Sequence, residues 1–190
     1  MIKLKTQFTL EEFLALPEGD IIYELIDKEA VPKFKNDEMS PKFFHSSITG
    51  ALFLLLSVWA QGKERVVIES AIKLTRNQQD WVPVADLTYV SYSRLSADWL
   101  QDEACPVAPE LVIEIISPGQ TFGEMTEKAT DYLKADVQRV WVIDTRAKTV
   151  TIFYPDTLPQ TKRSTDSLED PLFEGLQITP QQIFQQARIL

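Results

Sequence analysis

Apolar positions along the chain follow two periods, and the changes of period mark its elements. Phe44, Ile48, Ala51, Leu52, Leu55 and Trp59 recur at helical spacing, which predicts a long helix with Ser40 as N-cap and Pro41 at the first helical position. Ahead of it, Thr9 followed by Glu12 gives a capping box for a short helix through about Leu16, ended by the Pro17, Glu18, Gly19 turn. Ile21 to Ile26 and Glu29 to Pro32 read as two short strands of a hairpin.

Beyond the long helix, Arg65 to Leu74, Val82 to Ser91 and Glu110 to Ser117 are rich in β-branched or aromatic residues and predict three strands. A helix over Gly123 to Ala135 leads into a strand at Arg139 to Asp144. Thr149 to Tyr154 pairs with that strand across the Thr145, Arg146, Ala147 turn. The tail is turn-rich until a last short helix at Pro180 to Ala187. A helix, a three-strand meander, a crossover helix and a fourth strand make an α/β (mixed α+β) core, about residues 40–155, whose mixed central sheet is flanked by helices. No repeat, low-complexity tract or Gly/Ser linker divides the chain, and one domain with an N-terminal helix and hairpin is expected.

Composition narrows the chemistry. With 44% hydrophobic residues the chain has ample material for a core. Cys105 is its only cysteine and His45 its only histidine, so it has neither an internal disulfide nor a Cys/His zinc site, and a metal must be held mainly by oxygen. The N-terminus is charged and has no apolar signal-peptide core, and the apolar run Ala51 to Ala60 is too short to span a bilayer. A cytoplasmic protein without a membrane partner is the expectation.

The net charge of -9 and the pI near 4.7 argue against nonspecific adhesion to nucleic acid. A carboxylate cluster that binds cations adds to that charge while a groove stays locally basic. Lys33, Lys35 and Lys42 form one basic group and Lys162 with Arg163 another, both read as solvated surface.

Glu114 interrupts LVIEIIS, a run otherwise apolar on both faces of a strand. A carboxylate there needs a partner, or it becomes protonated or destabilises the fold. That partner is a hydrogen bond or ion pair in one reading and a functional group in the other. Asp86 is similarly placed in WVPVADLTYV, sharing a strand face with Val84, Thr88 and Val90. Two such acids stay ionised together when a cation lies between them, and oxygen ligands select a hard ion such as magnesium or manganese; one shared proton is the alternative. Lys128 falls on the same helix side as Met125, Ala129 and Tyr132, where it either reaches the acids or packs its stem against the core. Together the three residues suit phosphoryl chemistry.

The stretches FTLEEFLALPEG, YELIDKE, MSPKFFHSSITGALFLLL, VPVADLTYVS, PELVIEIISP, EKATDYLKADVQRVWVIDTRAKTVTIFYPD and DPLFEGLQITPQQIF, in this order, resemble the Uma-type family of restriction endonucleases within the PD-(D/E)XK nuclease superfamily. The resemblance covers nearly the whole chain. It implies a restriction-endonuclease-like fold, a DNA-cleaving endonuclease dependent on Mg2+ or Mn2+, and Asp86 and Glu114 as metal-binding acids. The lysine expected two residues after the glutamate is replaced by Ile116, and the family moves that role to the following helix, which selects Lys128. Ala85 stands in place of the usual proline before the first acid, and Lys28 in place of a glycine. His45 matches a histidine of the family pattern on a helix that often contributes an accessory group; a hydrogen-bonded structural histidine is the other reading.

Glu24 and Glu69 are further candidate accessory acids. Glu24 is otherwise a half-exposed hairpin residue, and Glu69 a strand-face carboxylate paired with a nearby base. Cutting both strands of a duplex is most simply done by two sites, which points to a homodimer. The competing reading is a non-catalytic nucleic-acid-binding or regulatory protein that keeps the fold. A small-nucleotide phosphohydrolase ranks last, since the chain has no Gly-rich phosphate loop.

Overall fold

The computed structural model describes residues 7–17, 19–34, 42–62 and 64–190. Thr9 caps the first helix, α1 (Leu10–Leu14): its hydroxyl accepts from the Glu12 N–H at 3.2 Å, and the Glu12 carboxylate accepts from the Thr9 N–H at 2.9 Å. Such a cap contributes about 1 kcal/mol, and burial of Phe8 and Phe13 against Leu25 and Val82 anchors the helix.

The expected hairpin forms from β1 (Tyr23–Ile26) and β2 (Glu29–Pro32). Asp27 and Lys28 make a two-residue turn with φ of 50° and 68°, the left-handed geometry that glycine adopts most easily. Leu25 and Val82 exchange backbone hydrogen bonds of 3.1 and 3.0 Å, which dock the hairpin onto the body of the protein. This docking carries Glu24 and Lys33 inward.

The long helix is α2 (Phe43–Ala60). Ser40 and Pro41, its expected start, lie outside the described residues, as do Lys35 and Glu18. The N-cap is Lys42, whose extended backbone (φ -77°, ψ 154°) makes Phe43 the first helical residue. α2 extends well beyond the Ala51–Ala60 run, and by length and composition it is long and apolar enough to cross a membrane. Its buried stripe holds His45, Ile48, Thr49, Leu52 and Leu56, and the apolar members pack against the sheet. Phe44, expected on that stripe, is half exposed because the stripe passes through His45 instead.

The expected first strand divides in two. It forms β3 (Glu64–Ala71) and then β4 (Leu74–Arg76), which turns at Asn77 and Gln78 into β5 (Gln79–Trp81). There follow β6 (Val84–Ser91), β7 (Leu111–Ile115), α3 (Phe122–Lys134), β8 (Arg139–Asp144) and β9 (Thr149–Phe153). The tail adds an unexpected strand, β10 (Gln160–Arg163), before α4 (Pro180–Gln186). The main sheet is mixed, in the order β10-β9-β8-β7-β6-β3, with β7 and β8 parallel through the α3 crossover.

Side-chain alternation sorts the sheet's faces. Ile113 and Ile115 of β7, Trp141 and Ile143 of β8, and Val150 and Ile152 of β9 pack with α2 and α4. Val112, Val140 and Val142 pack with Met125, Ala129 and Tyr132 of α3. Glu114 shares the parity of Val112, so it is directed at α3.

Candidate active site

The register of the sheet places three carboxylates in one row. Leu87 pairs with Ile113, and the next step along that register sets Asp86 opposite Glu114. On the other side Ile68 pairs with Leu87 and Ser70 with Ala85, which sets Glu69 opposite Asp86. The regular ladder is interrupted on both sides of Asp86. Glu69 takes a left-handed φ of 48°, a conformation that costs a non-glycine residue about 1–2 kcal/mol. The Ile115 N–H donates to Asp86 Oδ2 at 2.7 Å, so a side chain replaces a ladder acceptor.

Asp86 is 2% exposed and fully engaged. Its Oδ1 accepts from the Lys33 ammonium at 2.8 Å, and His45 Nε2 lies 3.1 Å from Oδ2. Burial alone would push this carboxyl up, but the His45 hydrogen bond and the Lys33 charge together hold it well below the ordinary carboxylate range. Lys33 also lies 3.9 Å from Glu69 Oε1. Its side chain is buried, contrary to the expectation of solvated surface, because the docked hairpin ends beside Asp86. Lys42 of the same basic group is exposed, as expected.

Glu114 meets α3. Tyr132 donates its hydroxyl to Oε1 at 2.8 Å, and the Lys128 ammonium lies 3.1 Å from the same oxygen. Burial raises the Glu114 pKa; Lys128 opposes the rise and the neighbouring Asp86 adds to it. Lys128 also donates to Glu24 Oε1 at 3.0 Å, and that oxygen accepts from the Val84 N–H at 2.9 Å. Burial works against the Lys128 charge, but Glu114 and Glu24 outweigh it and hold the ammonium protonated, with its pKa above the ordinary lysine value. Glu24 is buried rather than half exposed, since the Leu25–Val82 docking turns it onto Val84.

The structure therefore brings Glu24, His45, Asp86, Glu114 and Lys128 into one network of two adjoining contact groups, Lys128 with Glu24 and Glu114, and Asp86 with His45 and Lys33, with Glu69 at the rim of the second, 33% exposed through its side chain. Two participants lie outside the expected set. Tyr132 shares the helix stripe of Lys128 four residues earlier, and that spacing was its signal. Lys33 carried none, because its place depends on docking across the fold.

Among the described residues no group of three or more His, Cys, Asp or Glu side chains is arranged to hold a metal ion. A magnesium-type ion nevertheless needs only one or two carboxylates, since it keeps several waters. Formally Glu24, Glu69, Asp86 and Glu114 carry four negative charges against two positive charges on Lys33 and Lys128. An excess of buried oxygen donors fits a hard divalent cation, and Asp86 with Glu114 would hold it.

No curated protein matches the chain. A solved structure from Anabaena variabilis ATCC 29413, described as "a putative nuclease belonging to DUF820", superposes with a TM-score of 0.80 at 24% identity, covering 95% of this chain and 99% of that one. It shares the fold. The family model for Uma2, "Putative restriction endonuclease", matches residues 10–181, nearly the whole of the chain described above, and the protein belongs to that family.

Proposed function

We propose that the protein is an endonuclease that hydrolyses phosphodiester bonds of DNA with magnesium or manganese. The reading is carried by one observation: Asp86 and Glu114 face each other across β6 and β7 with the Lys128 ammonium 3.1 Å from Glu114. When bound, the cation polarises the phosphate and makes a water molecule more acidic. The chain's own groups do the rest. Asp86 and Glu114 would supply the oxygen ligands; Oδ1 of Asp86 now accepts from Lys33. Lys128, kept charged by Glu24 and Glu114, orients the attacking water and neutralises charge that builds on the phosphate. Tyr132 and His45 fix the two carboxylates. Water adds to phosphorus as the opposite ester bond breaks in line; the water's proton passes to solvent, and the departing oxygen takes one from solvent. We keep two copies of the chain as the acting species, a point that sedimentation at working concentration decides.

The engagement of both Asp86 oxygens favours a second reading, a nucleic-acid-binding protein that keeps the fold without cleavage. Cleavage of supercoiled plasmid with magnesium or manganese separates the two. Nicking by wild type that Asp86→Asn, Glu114→Gln and Lys128→Met each abolish supports the nuclease. Equal residual nicking in all four samples is contamination and counts against it.

A further inference from the structure

A cleft of about 520 Å³ opens beside the acidic network, lined by Lys42, Phe43, Phe44, His45, Arg146 and Lys148 among others. In a chain of net charge -9 this lining contains three lysine or arginine side chains and no carboxylate. His45 belongs to both places: it lines the cleft, and its Nε2 lies 3.1 Å from Asp86 Oδ2, so one buried side chain separates the cleft from that carboxylate. Its floor includes Ile116, two residues beyond Glu114.

Phe43 is 80% exposed and Phe44 51%. Large apolar rings left in water beside cations form a stacking platform for a base, with the positive charges positioned for its phosphates. Lys148 is already held in place by the Ile189 carbonyl at 2.7 Å and lies over the Phe44 ring. Lys42 and Arg146 are exposed and free to follow a strand.

From this juxtaposition we infer that the cleft binds an unpaired DNA strand, one base stacked on Phe43 and the flanking phosphates on Lys42 and Arg146, and feeds it toward Asp86. A duplex keeps its bases stacked on one another and offers none to Phe43. The inference rests on the nuclease reading, and it specifies the form of the substrate at that site.

Fluorescence anisotropy with a labelled 12-nucleotide single strand and the matching duplex, in EDTA so that nothing is cut, tests it. Wild type is expected to prefer the single strand. Phe43→Ala should weaken single-strand binding about tenfold, within the range for loss of one stacked base, and leave duplex binding within twofold. Arg146→Gln should lower affinity and reduce the slope of log K against log salt by about 0.7. Lys162→Gln, on β10 and outside the cleft, should do neither. Wild-type binding with Phe43→Ala and Arg146→Gln unchanged overturns the cleft and spares the nuclease reading. No binding of either DNA by wild type overturns the cleft as well, while the plasmid assay, run with metal, judges the nuclease reading separately.

Discussion

The Lys33 ammonium lies 2.8 Å from Oδ1 of Asp86, so the end of a hairpin 53 residues earlier in the chain neutralises the carboxylate at the centre of the row. An ion held by that oxygen would lie against the ammonium, and the two cations would repel one another. Lys33→Met should therefore bind Mn2+ at least about tenfold more tightly than wild type, a difference of about 1.4 kcal/mol, well below the repulsion expected at contact even at an effective dielectric near 20. Without metal the variant should lose about 3 kcal/mol, since Asp86 is left buried without its ammonium partner, on the hydrogen bonds of His45 and the Ile115 N–H alone. Manganese titration by electron paramagnetic resonance, with melting curves, reads both, and equal affinities would refute the competition.

Asp86 also sets an acid limb of stability. Its carboxyl titrates well below the ordinary value in the folded chain and near 3.8 when unfolded. The stabilisation is thus fully present above about pH 4 and disappears as pH falls from there toward the folded pKa. Asp86→Asn, measured in EDTA, should flatten unfolding free energy against pH between about pH 4 and 2. A limb as steep as wild type would mean that other carboxylates govern it.

Lys28→Gly should stabilise the protein by about 1 kcal/mol. The substitution relieves a φ of 68° that costs a side-chain-bearing residue roughly 1–2 kcal/mol, of which the backbone entropy glycine adds to the unfolded chain cancels about 0.4–1 kcal/mol. The urea midpoint should rise with an unchanged slope. A fall would show that the lysine side chain contributes more than its backbone strain removes.

Glu24 serves Lys128 and is not expected to touch a metal ion. Glu24→Gln keeps an oxygen for the Val84 N–H and removes the charge that holds the lysine. Cleavage should fall by roughly ten- to a hundredfold, the range for loss of an outer partner that orients a site group, while Mn2+ affinity stays within about twofold. If affinity falls in parallel with rate, Glu24 acts on the metal instead.

Residues in a setting that contradicts their chemistry were the ones most legible in the sequence. Glu114 and Asp86 are carboxylates inside apolar strands, and Lys128 is a lysine on an apolar helix stripe; each demands a partner wherever the chain folds. Lys33 is an ordinary lysine in a polar segment, and its burial follows from the long-range Leu25–Val82 pairing, which leaves no local trace. The same holds for β10. Gln160, Thr161, Lys162 and Arg163 have little strand preference, and they form one because β9 offers an edge to pair with. The β4–β5 turn was obscured differently, since Asn77 and Gln78 adopt positive φ without a glycine to mark them.

The network draws on β1, the end of the hairpin, α2, β6, β7 and α3, so its members are made at widely separated times during synthesis. A nascent chain that has emerged only through Glu114 holds both acids but lacks α3 and its Lys128. Truncated products that end before α3 should therefore lack the proposed cleavage activity.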